Sequence, residues 1–228
     1  MTSRLDHPDT LYCQMKTACA DDWHRYCHHE FVQGIADGTL PLESFKHYLQ
    51  QDYLFLIHFA RAYALAVYKA DNLEDMKAAS DSVAGILSEM NLHLEYCAEW
   101  GMTEQDVVSQ PEARANMAYT RYVLERGMAG DILDLQTALS PCAVGYAEIG
   151  LRLINDPATK REGNPYWKWI QTYGGEEFVQ GAVRQVEAIE KLADSRFSDG
   201  RMDSLYRTFR EATRLEIGFW DMGLNQTF

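Results

Sequence analysis

The chain has 228 residues, 46% of them hydrophobic, which is enough for a substantial core in one domain of long helices. Its formal net charge of −13 makes a surface that repels phosphate backbones and anionic lipid, and no concentrated basic patch points to a nucleic-acid partner. The most apolar stretch, residues 54–68, is interrupted by His58 and Arg61 and is too short and too charged to span a membrane.

Helical periodicity runs through nearly the whole chain, and strand-like alternation is sustained nowhere. Tyr12, Met15, Cys19, Trp23 and Tyr26 recur every three or four residues. Thr39-Leu40-Pro41-Leu42-Glu43 reads as a helix start with Pro in the first turn. The helix it opens extends to about residue 70, with Phe45, Tyr48, Leu49, Phe55, Leu56 and Phe59 on its inner face. Another spans about 73–100 and stops at Gly101, a natural C-terminal cap. Pro111 opens a helix through Tyr119 and Tyr122 to Gly127. The next, about 131–155, carries the most regular stripe: Ile132, Leu135, Leu139, Cys142, Tyr146, Ile149 and Leu153, at steps alternating between 3 and 4. Pro141 lies inside this helix, removes one backbone hydrogen bond and predicts a kink. After Pro157 comes an aromatic segment, 164–175, with Tyr166, Trp167, Trp169 and Tyr173, and then two final helices at about 176–196 and 201–225. No linker and no internal repeat divides the chain, so residues 1–228 read as one all-α domain, a bundle of seven or more helices.

The five cysteines are Cys13, Cys19, Cys27, Cys97 and Cys142. Their number is odd, no two form a CxxC pair, and no secretory signal opens the chain. They read as the thiols of a cytoplasmic protein, not as a disulfide framework.

Polar residues on stripes that should be apolar are the functional candidates of a helical bundle, because burying them costs stability. Asp52 falls between Tyr48 and Leu49 on one side and Phe55 and Leu56 on the other. Glu216 falls on the stripe Met202, Leu205, Phe209, Thr213, Glu216, Phe219 and Gly223, and Cys142 sits mid-stripe beside Pro141. Each also has a packing explanation. A lone buried Cys behaves as a small hydrophobe. Asp52 would pair with a Lys or Arg, and Glu216 would be exposed if Trp220 marked the inward face in place of Phe219. Together, a thiol and two carboxylates on three inward faces supply the nucleophile, acid/base and orienting group of covalent catalysis. Tyr119, Tyr122, Tyr146 and Tyr173 fall on or near inner faces, and a phenol's flat wall and polar tip suit a planar heteroaromatic ligand. For Tyr122 simple helix packing is the preferred explanation.

A rival constellation is Glu89-x-x-x-His93, one helical turn apart, with His58 on the preceding helix. Di-iron bundles use Glu-x-x-His repeated on two helices, and no second copy occurs, so no metal is expected. His24, His28 and His29 read as solvent-facing or capping. No Gly-rich phosphate loop, Ser nucleophile elbow or Walker motif is present.

At several of these residues the chain resembles the TenA/thiaminase II family, whose fold is heme-oxygenase-like and all-helical. The segments that carry the resemblance are Ile35-Ala36-Asp37-Gly38-Thr39-Leu40-Pro41, Tyr48-Leu49-Gln50-Gln51-Asp52-Tyr53 and Ala118-Tyr119-Thr120. Further on come Ser140-Pro141-Cys142 with Tyr146-Ala147-Glu148-Ile149-Gly150, Trp169-Ile170-Gln171-Thr172-Tyr173-Gly174, and Glu216-Ile217-Gly218-Phe219-Trp220-Asp221-Met222. They follow the family's order over most of the chain, and Pro-Cys resembles the branch that uses a Cys nucleophile. Two positions depart: His29-Glu30-Phe31, where many members carry His-Pro-Phe, and Phe55, where some carry Tyr.

The resemblance implies a cofactor-free hydrolase. It would convert 4-amino-5-aminomethyl-2-methylpyrimidine to the hydroxymethylpyrimidine and ammonia, in thiamine salvage, with thiamine as a second substrate. Cys142 would be the nucleophile, Tyr119 would hydrogen-bond it, and Glu216 would protonate a ring nitrogen with a pKa raised by burial. Asp52 would accept from the 4-amino group or orient the thiol, and Tyr146, Tyr173, Phe55 and Phe219 would wall the ring. It also implies a homotetramer, for which the aromatics at Tyr166, Trp167 and Trp169 offer either a contact surface or a cap on the core. The family's label as a transcription activator finds no support in a net charge of −13. The alternatives left are a heme-oxygenase-like metalloenzyme using Glu89 and His93, and a non-catalytic binder of thiamine-related pyrimidines.

Overall fold

The computed structural model describes Leu5 and residues 7–228, apart from the side chain of Leu92. Among these residues the secondary structure is helical throughout. The periodic stripe that opens the chain is split into α1 (Leu11–Ala18) and α2 (Ala20–Cys27), with the break at Cys19, while Tyr12, Met15, Cys19, Trp23 and Tyr26 all remain buried. Next comes α3 (Glu30–Asp37), whose first turn is capped by His29: its Nδ1 accepts from the backbone N–H of Phe31 at 3.2 Å. The helix ends at Gly38, in the left-handed conformation that glycine adopts without a Cβ penalty.

Two long helices, α4 (Leu42–Lys69) and α5 (Leu73–Glu99), pack against each other. Pro41 precedes α4, and Gly101 beyond α5 has φ +77°. A short helix, α6 (Glu104–Val108), starts on a capping box between Thr103 and Asp106. Helix α7 (Arg114–Ala129) begins three residues after Pro111, not at it. Gln51 explains the delay: its Nε2 donates to the Pro111 carbonyl at 2.9 Å and its Oε1 accepts from Ala113 N at 2.8 Å, holding 111–113 extended.

Helix α8 (Ile132–Asn155) is the central element, buried along nearly its whole length and packed by α7, α10 and α11. Its start is capped by Asp131, which accepts from Leu133 N and Asp134 N, and Arg201 clamps both acids at 2.8–2.9 Å. Pro141 leaves the Thr137 carbonyl without its helical donor, and the Ser140 hydroxyl takes that place at 2.9 Å. The aromatic segment folds as α9 (Trp167–Tyr173), followed by α10 (Glu176–Arg196) and α11 (Met202–Asn225). Tyr166, Trp169 and Tyr173 are buried in the core and Trp167 is half-buried, so most of this segment caps the core. No helix among the described residues is long and apolar enough to cross a membrane.

Candidate active site

Six helices converge on one interior region. Tyr48, Asp52 and Phe55 come from α4, Glu89 and His93 from α5, and Tyr119 from α7. Cys142 and Tyr146 come from α8, Trp169 and Tyr173 from α9, and Glu216, Phe219 and Trp220 from α11. Helical repeat alone aims each of these inward, and the packing of α8 between α7, α9 and α11 brings them together.

Glu216 is 1% exposed, and Phe219 and Trp220 are both buried as well, so the inward face of α11 is wide enough to take all three. The Tyr119 hydroxyl donates to Glu216 Oε1 at 2.9 Å, and the Cys142 thiol lies beside this carboxyl. Burial is the main force that raises the Glu216 pKa, reinforced by Asp52 and opposed by the hydrogen bonds of Tyr119 and Cys142; the pKa is pushed up to about 8. Glu216 is therefore a neutral acid at neutral pH. The expected bond from Tyr119 to the thiol is replaced by this bond to Glu216, with the phenol also against the backbone of Cys142.

Cys142 is half-buried and packed deep among the helices. Burial pushes its thiol well above the ordinary value, and the carboxylates of Glu216, Asp52 and Glu89 push in the same direction. The site holds a neutral thiol beside the carboxyl of Glu216.

Asp52 is buried and its Oδ2 lies 3.0 Å from His93 Nε2, a close ionic contact that runs off the N–H axis. Burial favours neutral His93, but the contact and charge of Asp52, together with the charge of Glu89, outweigh it and hold the imidazole pKa above its usual value. The pairing of Asp52 is thus with a histidine and not with a Lys or Arg. His58, grouped with Glu89 and His93 at the sequence level, is elsewhere: it contacts Arg61 and Arg121 at 3.1 Å and Glu112 at 3.5 Å. Among the described residues no group of three or more His, Cys, Asp or Glu side chains is arranged to hold a metal ion.

The walls are aromatic. Phe55 lies 5.2 Å from Tyr119 and 5.5 Å from Phe219, ring centre to ring centre, and Tyr146 lies 4.9 Å from Tyr173 and 5.2 Å from Trp220. Tyr48, buried behind them, accepts from Trp169 Nε1 at 3.2 Å and joins Tyr146 and Tyr173 in a phenol cluster beside Asp52. Tyr48, Trp169 and Trp220 were not singled out from sequence, because an aromatic on a helical stripe looks the same whether it packs or binds. A separate groove of about 550 Å³ near Trp23, Cys27 and Arg152 contains none of the candidate residues. Its Glu148 is already engaged by Tyr12, Lys16 and Trp23 at 3.0–3.1 Å.

Comparison with known proteins places this arrangement in context. A protein of Haemophilus influenzae with no assigned function is 43% identical over 89% of this chain and 94% of its own length. A protein of Halalkalibacterium halodurans named aminopyrimidine aminohydrolase is 34% identical over 90% of this chain and 91% of its own. A Schizosaccharomyces pombe protein named as a putative hydroxymethylpyrimidine/phosphomethylpyrimidine kinase is 38% identical, but the match spans only 36% of it. Among solved structures, a TenA family protein from Silicibacter sp. TM1040, titled a transcription regulator, superposes with a TM-score of 0.89 at 42% identity, covering 94% of this chain and 96% of that one. A Shewanella denitrificans domain described as having a heme oxygenase-like fold superposes at 0.72 with 15% identity, covering 93% of this chain and 91% of that one, and so shares the fold. Residues 17–226 match the TENA/THI-4/PQQC family, and the chain belongs to it.

Proposed function

We propose that the chain hydrolyses 4-amino-5-aminomethyl-2-methylpyrimidine to the hydroxymethylpyrimidine and ammonia, and cleaves thiamine as a second substrate. Family membership and the aminohydrolase name of the Halalkalibacterium relative support the substrate class. The observation that carries the reading is the Cys142 thiol beside a buried, neutral Glu216 that Tyr119 holds at 2.9 Å, among aromatic rings.

The chemistry needs no cofactor. The Cys142 sulfur adds to the ring carbon next to a ring nitrogen; its proton passes to Glu216 as Glu216 gives its own to that nitrogen. No free thiolate has to form in the low-dielectric site. The ring, now an enamine, expels the protonated amine: the C–N pair goes to nitrogen, which leaves as ammonia. Water adds at the exocyclic carbon and releases a proton to solvent. The C–S bond then breaks, the ring nitrogen returns its proton through Glu216 to sulfur, and aromaticity is restored. Tyr119 orients Glu216, Asp52 accepts from the 4-amino group with His93 steadying it, and Tyr146, Tyr173, Phe55 and Phe219 wall the ring.

Incubation with the aminomethylpyrimidine and with thiamine, followed by detection of ammonia and hydroxymethylpyrimidine, tests this. The native chain should turn over the aminopyrimidine, Cys142→Ser should not, and alanine at Cys13, Cys19, Cys27 or Cys97 should leave turnover in place. Near-normal activity in Cys142→Ser overturns the covalent route, and ligand retention without product makes the protein a binder. All five cysteines are present as thiols, which supports a reducing, cytoplasmic setting. A homotetramer is part of the same proposal and rests on the family resemblance.

A further inference from the structure

Helix α5 contributes Glu89 and His93 one turn apart on the side that faces Asp52 and Tyr173. Asp52 takes the close contact with His93 at 3.0 Å, and Cys142 and Glu216 are neutral. Glu89, one turn from His93, feels that imidazole only as a longer-range charge, and burial together with the charge of Asp52 pushes its carboxyl above the usual range. Its nearest hydrogen-bond donor is the Tyr173 hydroxyl at 3.5 Å, a long contact, and among the described residues no Lys or Arg forms an ion pair with it. The carboxyl is largely sequestered, stands at the edge of the aromatic wall formed by Tyr173, and acts electrostatically on Cys142. A carboxyl in such a place is costly to ionise unless a ligand supplies further positive charge.

We propose that Glu89 recognises the positive charge attached to the exocyclic carbon of the substrate, and so makes the site selective for cationic leaving groups. The inference rests on the functional reading above. Both groups considered there fit: an alkylamine is protonated at neutral pH, and a thiazolium carries a fixed charge. As the C–N bond breaks, the departing nitrogen loses its positive charge, so the attraction of Glu89 is stronger for bound substrate than for the transition state. Glu89 is therefore a specificity residue, and its loss raises KM without lowering kcat.

The test separates charge from shape by using the hydroxymethylpyrimidine, a neutral near-isostere of the aminomethyl compound. Binding of each is measured calorimetrically to the Cys142→Ser protein, which cannot turn over under the proposed mechanism, with and without Glu89→Gln. Glu89→Gln should weaken the aminomethyl compound about 10- to 100-fold, the range for a charge-assisted contact, and the hydroxymethyl compound less than about twofold. The neutral ligand also reports whether the variant is folded. Glu89→Asp, which keeps the charge on a shorter arm, should restore part of the preference. Equal weakening of both ligands, or no change in either, overturns the role of Glu89 alone. Binding of neither ligand when Glu89 is present overturns the functional reading and this inference with it.

Discussion

Glu216 concentrates the residue-scale chemistry. Its carboxyl accepts from Tyr119 and lies beside Cys142, and burial keeps it protonated up to about pH 8. The proposed proton relay uses that neutral acid, so turnover should fall as pH rises through about 8. Glu216→Gln should be slower by about 10²-fold, the usual scale for a lost general acid/base, and should show no such fall. Stability should follow with the same sign. Between the ordinary carboxyl value of 4.5 and about 8, the folded chain holds a proton here that the unfolded chain does not. Folding is then favoured at low pH, and the unfolding free energy declines across that window by a few kcal/mol, at about 1.4 kcal/mol per pKa unit. Glutamine has no charge to bury, so Glu216→Gln should melt above the native chain near pH 9, with the difference closing near pH 5. Parallel melting curves for the two proteins across that range would show that the carboxyl is not held in the neutral form.

Helix-scale packing decides where these groups point. The Pro141 step beside Cys142 is accommodated because Ser140 supplies the donor that proline lacks. Farther along α8, Gly150 meets Gly174 at the end of α9 backbone to backbone: a Cβ on Gly150 would lie 2.3 Å from the Gly174 nitrogen and from the Tyr173 carbonyl carbon. Neither atom belongs to a flexible side chain, so the helices themselves would have to separate. Gly150→Ala should cost about 1–3 kcal/mol, the scale of overpacking, and should displace Tyr173 and lower activity beyond the loss of stability. Denaturant titration combined with substrate binding checks this, and a stable variant with normal affinity would show that α9 has room to move. Periodicity marks the long helices, but not α6 or the break between α1 and α2. The capping pair Thr103 and Asp106 was a legible sign of α6, whereas the break at Cys19 has no Gly or Pro to mark it and leaves the same side chains buried on both sides.

For the whole molecule, the proposed tetramer loses one of its supports and keeps another. Tyr166 and Trp169 are core residues, so the aromatic segment no longer argues for an interface. The resemblance still does, and large apolar side chains such as Tyr68, Leu73 and Met128 remain exposed on the single chain. Sedimentation at micromolar concentration should give a mass near four times 26.1 kDa. A monomeric particle would remove the assembly proposal and leave the chemistry of Cys142 untouched.

The all-helical fold, the run of long helices and the inward placement of Asp52, Cys142 and Glu216 follow from periodicity within single helices, a local property that sequence carries directly. Partnership between helices does not. Cys142 and Glu216 are far apart in the chain, as are Asp52 and His93, and a stripe says that a side chain faces inward without saying what it meets. Only the packing of α4, α5, α7, α8 and α11 set Tyr119 on the carboxyl instead of the thiol, turned Glu89 and His93 from a metal-like pair into neighbours of Asp52, and sent His58 to Arg121 and Glu112. Proton affinities depend on those neighbours and on the depth of burial, which is why the apolar stripe of Glu216 predicts its raised value while the place of Glu89 beside His93 and Tyr173 emerges only from the assembled helices.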